Sequence, residues 1–180
     1  MKYSINTIAP NAEFLFFWGH HPASDGKINK SCLSQWFECK FTADGVKYHT
    51  AEQYMMAQKA LLFGDNDVFE LIMKANNPNE YKSLGRKIRN FDDKLWNENK
   101  TDIVIKGNTA KFSQNKALKN FLLSTGSKVL VEASPYDTVW GIGMSANSQG
   151  ITDVHCWNGQ NLLGFCLMEV RDIISEDIND

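Results

Sequence analysis

An α+β fold is predicted for this chain: a few short strands with several helices gathered around them, in one compact domain over residues 1–180 with a core from about 14 to 171. Three observations predict it. Long stretches repeat apolar residues at helical spacing between start and stop signals. The apolar runs of strand type are only about five residues long, as at Phe14–Trp18 and Lys128–Glu132. Clusters of turn-forming residues separate the two kinds of segment.

Taken in order, the first strand is expected at Phe14–Trp18, followed by a loop from Gly19 to Gly26. Phe37, Cys39 and Phe41 alternate with Glu38 and Lys40, as in a half-exposed strand. Thr42–Gly45 supplies a turn, and Val46 to Tyr48 the returning strand. A helix follows from Ala51 to Phe63. Thr50 and Gln53 fit the capping-box pattern at its start, and Gly64 suits the left-handed position that ends it. Asp65–Lys74 and Asn79–Lys87 read as short helices split by Asn76-Asn77-Pro78. A longer helix opens at Phe91-Asp92-Asp93 and reaches about Lys111; another spans Asn115–Thr125 and stops at Gly126. A strand at Lys128–Glu132 and a helix at Leu162–Ile174 complete the chain.

Composition removes several classes. With 43% hydrophobic and 12% aromatic residues, the chain is not a disordered one. A net charge of -2 argues against a protein that holds nucleic acid by broad phosphate neutralisation. Locally the balance differs: Lys100 to Lys128 holds six lysines against Asp102, a net +5, whereas Glu169 to Asp180 holds five acids against Arg171, a net -4. A basic segment in a near-neutral chain suits a small anionic ligand. Cys32, Cys39, Cys156 and Cys166 form no C-x-x-C and no paired zinc spacing, and adjacent His20 and His21 with distant His49 and His155 give little support to a metal site. No signal-peptide core opens the sequence, and Phe14–Trp18 is too short to cross a membrane, so a cytoplasmic protein with reduced thiols is expected.

Four groups of residues bear on chemistry. In the helix from Ala51, Glu52, Met56, Lys59 and Phe63 fall along one stripe. A carboxylate and an amine among core residues are costly unless paired or used in a reaction; the plain alternative is a solvated helix edge. Next, Leu130–Gly143 runs from a strand ending in Glu132 into a turn that presents Asp137, Trp140, Gly141 and Gly143. Trp140 can stack on a flat base and the glycines can bring N–H groups to a phosphate; a hairpin loop with a core tryptophan is the alternative. Third, Asn108, Lys111, Gln114 and Asn115 can share a helix face suited to a base edge or a sugar-phosphate, or form a polar surface. Fourth, Phe16-Phe17-Trp18-Gly19 and Leu33-Ser34-Gln35-Trp36-Phe37 are most simply core, with some rings free to line a pocket.

In this order, the chain holds Leu33-Ser34-Gln35-Trp36-Phe37, Tyr48 to Ala60, Leu84-Gly85-Arg86, Lys111-Phe112-Ser113-Gln114-Asn115, Glu132-Ala133-Ser134, Asp137 to Gly143 and Trp157 to Gly164. This combination resembles the NADAR (YbiA-like) family from about Phe14 to Arg171. The resemblance implies an α+β fold of that type and an N-glycosidase that hydrolyses the C–N bond between a base and a phosphorylated ribose. The substrate it implies is either a phosphoribosylated aminopyrimidine of the riboflavin pathway or ADP-ribose on guanine in nucleic acid. A non-catalytic module that holds ADP-ribose or NAD is the alternative. The residues expected to act are Glu52, Lys59, Glu132 and Asp137: Glu132 and Asp137 at the ribose, orienting water or stabilising the cation, Glu52 exchanging protons, and Lys59 either as a Schiff-base nucleophile or in a purely electrostatic role. One of Trp18, Trp36 or Trp96 joins Trp140 as a stacking candidate, although core packing is the plainer reading of Trp36 and Trp96. Lys111, Gln114, Asn115 and Arg86 are the phosphate and ribose candidates. Gly19, Ser34, Gln58 and Gly141 complete the expected binding set. No cofactor, metal or membrane is called for, and the oligomeric state is left open.

Overall fold

The computed structural model describes residues 1–176 of the 180. Its strands are β1 (Phe14–Phe17), β2 (Phe41–Ala43), β3 (Val46–Tyr48) and β4 (Val129–Glu132). Its α-helices are α1 (Ala51–Leu62), α2 (Asn66–Lys74), α3 (Pro78–Gly85), α4 (Asp93–Gln114), α5 (Lys116–Ser124) and α6 (Leu162–Glu176). Short 3-10 helices stand at Ile5–Thr7, Lys30–Leu33 and Val154–Cys156. The class is α+β, as predicted.

One compact unit comprises Gln35–Asn115. Its hairpin differs from the expectation. The turn is the two-residue Asp44-Gly45, with φ of 51° and 78°, so Thr42 and Ala43 belong to β2. Phe37 and Cys39 are buried but lie before the strand, with the Cys39 N–H donating to the His49 carbonyl. Alternating burial was therefore legible without an alternating ladder. At the start of α1, Thr50 Oγ1 accepts from the Gln53 N–H at 3.1 Å. The reciprocal bond of the capping box is shifted by one residue: Gln53 Oε1 accepts from the His49 N–H. Gln53 Nε2 then donates to the Ile72 carbonyl, which ties α1 to α2. Gly64 ends the helix at φ 68°, as expected.

Helix α4 lies against α1 through Gly107, where a Cβ would intrude on the Tyr54 ring. Tyr54 is itself locked edge-on to Tyr48 at 5.1 Å and is 1% exposed, so the ring has no room to retreat. Gly107→Ala is expected to destabilise the protein by about 1–3 kcal/mol, the usual cost of overpacking, read as a lower denaturation midpoint at unchanged slope. The end of α4 holds the hairpin: Gln114 Nε2 donates to the Thr42 carbonyl at 2.7 Å, Gln114 Oε1 accepts from the Thr42 N–H at 2.8 Å, and Lys106 pairs with Asp44.

The second unit comprises Met1–Ser34 and the chain from Lys116 onward. Strands β1 and β4 pair in parallel, from Phe14 opposite Val129 to Phe17 opposite Glu132. The other edge of β4 is closed by Asn161, a residue at φ 54°. Its Nδ2 donates to the Leu130 carbonyl and its Oδ1 accepts from the Glu132 N–H, so one side chain imitates a neighbouring strand. Helix α6 packs on β4, and Gly164 permits close approach to the Leu130 carbonyl. Arg171 of α6 donates to Thr125 Oγ1 and to the Lys128 carbonyl.

The basic run is not one surface. Lys100 and Lys111 are buried, Lys106 pairs with Asp44, and Lys128 lies 3.7 Å from Glu13. None of the four cysteines is in a disulfide among the described residues. No helix among the described residues is long and apolar enough to cross a membrane.

Candidate functional site

In the Gln35–Asn115 unit, α1 turns an unusual face inward. Glu52 is 4% exposed, Met56 and Phe63 are buried, and Lys59 is half-buried on the same stripe. Lys59 Nζ donates to the Gly85 carbonyl at 3.1 Å and lies 4.4 Å from the centre of the Phe91 ring and 5.3 Å from that of Trp96. Burial pushes the proton affinity of its amine down, against the opposing negative charge of Asp93 and Glu52. A desolvated amine boxed by rings is the kind of lysine that reacts with carbonyl carbon. Gly85 lets α3 sit close here, since a Cβ would require the Met56 side chain to move.

The structure thus brings Trp96 to Lys59, with Glu52 two turns back on the same face of α1 and close enough to act on the amine by its charge, and leaves other candidates elsewhere in the unit. Gln58 donates to the Tyr48 hydroxyl at 3.4 Å. Arg86 is exposed at the C-terminal end of α3. Lys111 is fully buried, its ammonium 5.0 Å from the Phe112 ring and 5.8 Å from the Phe37 ring. Both polar atoms of the Gln114 amide serve the Thr42 backbone, and Asn115 Nδ2 serves the Lys40 and Lys111 carbonyls. Asn108 is buried and donates to Gln35 Oε1 and to the Val104 carbonyl. The amide-rich face of α4 therefore holds structure together at these contacts.

In the other unit, Glu132 closes β4, with its N–H held by Asn161 and its carbonyl accepting from the Ile142 N–H. Asp137 Oδ1 accepts from the N–H groups of Val139 and Trp140, at 2.9 and 2.7 Å. This turn fixes the backbone that carries the half-buried Trp140. Gly141 is needed at this turn because a Cβ would stand 2.8 Å from the Glu132 carbonyl and 3.0 Å from that of Asp137. Ser34 is buried at the end of its 3-10 helix. Trp18 is 55% exposed just past β1, beside Gly19 at φ 85°, and its ring lies 6.0 Å from that of Tyr136. Ligands of parallel sheets gather at the carboxyl ends of strands, which is where Trp18, Glu132 and the turn after it stand.

Sequence reasoning missed three contributors. Phe91 was read only as the opening of a helix, although an aromatic residue just outside an N-cap was the available signal. Asn161 lies in the Trp157–Gly164 segment, where no local signal marks its strand-like role. Tyr136 lies in the same turn as Asp137 and was passed over. No group of three or more His, Cys, Asp or Glu placed to hold a metal ion occurs among the described residues.

Comparison with known proteins gives a consistent result. The NADAR domain matches residues 16–175. An N-glycosidase of Acanthamoeba polyphaga mimivirus is 44% identical over 165 residues, covering 89% of this chain and 95% of the relative. The chloroplastic riboflavin biosynthesis protein PYRR of Zea mays is 34% identical over 139 residues, covering 73% of this chain and 20% of that protein. Among solved structures, the NMR structure of the E. coli protein YbiA superposes with a TM-score of 0.74 at 25% identity, covering 96% of this chain and 90% of that one.

Proposed function

This chain belongs to the NADAR family, and we propose that it is an N-glycosidase that releases a base from the anomeric carbon of a phosphorylated ribose, with Lys59 as nucleophile. The observation that carries the proposal is the Lys59 amine, desolvated between Phe91 and Trp96 two turns along α1 from a buried carboxylate. A ribosylamine in its ring-opened form is an imine at C1. The neutral amine of Lys59 adds to that carbon, its two protons pass in turn to the base nitrogen, and the C1–N bond breaks as that nitrogen departs as an amine. The resulting Schiff base on Lys59 is hydrolysed by water, which returns the lysine and frees the sugar phosphate as an aldehyde. Glu52 is the group assigned to proton exchange. Glu132 and Asp137, in the other unit, are proposed on their chemistry alone as carboxylates that stabilise positive charge on the sugar.

Binding roles are proposed on the same footing. Trp140 stacks on the base, with its backbone already fixed by Asp137. Trp140→Phe is expected to raise KM about 2–10-fold with a smaller change in kcat, the loss of stacking area from uniform binding. Steady-state kinetics at several substrate concentrations check it; an unchanged KM counts against stacking.

The substrate is tested directly. Purified protein is incubated with a phosphoribosylaminopyrimidine and, separately, with a guanine-ADP-ribosylated oligonucleotide, and released base is followed by mass spectrometry with a Glu132→Gln control. Release from the pyrimidine alone supports a role in clearing free metabolites. Release from the oligonucleotide alone makes this a nucleic-acid de-modification enzyme, which needs few phosphate contacts if the base is flipped into the protein. No release from either, with ADP-ribose still bound, favours the binding-module reading.

A further inference from the structure

The segment between α3 and α4 is held from below more firmly than a connector requires. The Asp65 carboxylate, completely buried as the N-cap of α2, accepts from the Arg89 N–H at 2.9 Å, from Arg89 Nε at 3.1 Å and from Arg89 Nη2 at 2.5 Å. Arg89 Nη2 also meets Asp67 at 2.7 Å. The guanidinium holds the Asp65 carboxyl far below the ordinary carboxylate range. A planar fork engaged on one carboxylate by two nitrogens and its own backbone fixes position as well as charge. Directly after it, Asn90 takes a left-handed φ of 57°, a turn that asparagine tolerates better than most residues. The next residue is Phe91.

The Phe91 ring does not go into the core. It remains 42% exposed, leans on Phe63 at 5.1 Å and covers the Lys59 ammonium at 4.4 Å. A large aromatic side chain left half in water, yet aimed at an amine by an exposed arginine anchored on a buried carboxylate, is poorly explained by packing alone. We propose that Phe91 is a positioning residue, clamped in place by Asp65 and Arg89, that keeps water from the Lys59 amine and thereby sets its reactivity. The inference rests on Lys59 being the nucleophile of the proposed reaction. Asp65, Arg89 and Asn90 then act on the chemistry without touching the substrate.

Two effects of the ring on the amine oppose each other, and this gives the test its sign. Excluding water disfavours the ammonium; the negative face of the ring favours it, by the smaller amount for a half-exposed ring. The other groups bearing on the amine are Glu52 of α1, Asp93 and the Trp96 ring of α4, and the Gly85 carbonyl at the end of α3, and none is altered by changing Phe91. Phe91→Ala admits water and should raise the pH midpoint of the amine. Phe91→Leu keeps water out without the ring face and should leave the midpoint unchanged or lower it.

The experiment is competitive labelling of the native protein with a small acylating reagent across pH, with Lys59 followed by peptide mass spectrometry. Phe91→Ala is expected to move the midpoint up by about half a pH unit or more, Phe91→Leu not to do so, and Arg89→Lys to move it in the direction of Phe91→Ala. An unchanged midpoint in both Phe91→Ala and Arg89→Lys overturns the proposal, as does a rise in Phe91→Leu equal to that in Phe91→Ala. Labelling needs no substrate, so its result stands whether or not base release is observed.

Discussion

Lys59→Met should lower the rate of base release by about 10³-fold or more while leaving the protein folded, because methionine keeps the apolar stem between the rings and removes only the amine. Borohydride added during turnover should reduce the sugar adduct onto Lys59 in the parent protein and onto no residue in the variant. Because burial lowers the proton affinity of this amine, its neutral fraction grows with rising pH over a range below that of an exposed lysine. The alkaline rise of kcat/KM should follow that lowered range and vanish in Lys59→Met. A parent enzyme that turns over without any trapped adduct, under conditions that trap a control imine enzyme, would sink the nucleophile assignment.

Glu52→Gln should separate proton transfer from nucleophile activation. The negative charge of Glu52 raises the proton affinity of Lys59, so its removal should make the amine neutral at still lower pH. On that ground alone the variant would react more readily near neutrality. Loss of a general acid–base group instead predicts a fall in kcat of about 10²–10⁴-fold. The expected result is both at once: a lower midpoint for labelling of Lys59 and a lower kcat. A variant with the lowered midpoint and an undiminished kcat would show that Glu52 serves only as a counter-charge. Glutamine retains the size and hydrogen-bonding capacity of the buried residue, which limits loss of stability.

Both predictions concern residues that were visible in the sequence, for a local reason. Thr50, Gln53 and Gly64 delimit α1 through contacts within a few residues, and the stripe of Glu52, Met56, Lys59 and Phe63 follows from helical periodicity alone. Features that depend on remote segments were not visible. The partner of β1 is β4, more than a hundred residues on, and no local signal marks a parallel pairing. Polar residues of α4 read equally well as a ligand face or as surface; only the fold shows Gln114 engaged with Thr42 and Lys111 fully buried. Phe37 and Cys39 carried the right burial alternation but not the ladder. Phe91 gains its meaning from Asp65, a residue of a different helix cap.

The parallel pairing of β1 with β4 also orders events in time. The Gln35–Asn115 unit is continuous in sequence and can assemble as soon as that stretch has left the ribosome. The β1–β4 pair cannot: Phe14 meets Val129, so closing the intervening chain as a flexible loop would cost on the order of 4 kcal/mol in entropy. Prior collapse of the continuous unit shortens the effective loop and reduces that cost. Until β4 is synthesised, the apolar Phe14–Phe17 segment is an unpaired strand edge. The nascent chain therefore stays exposed to aggregation until late in translation, and substitutions that slow folding of the continuous unit should lower the yield of soluble protein even where the finished fold tolerates them.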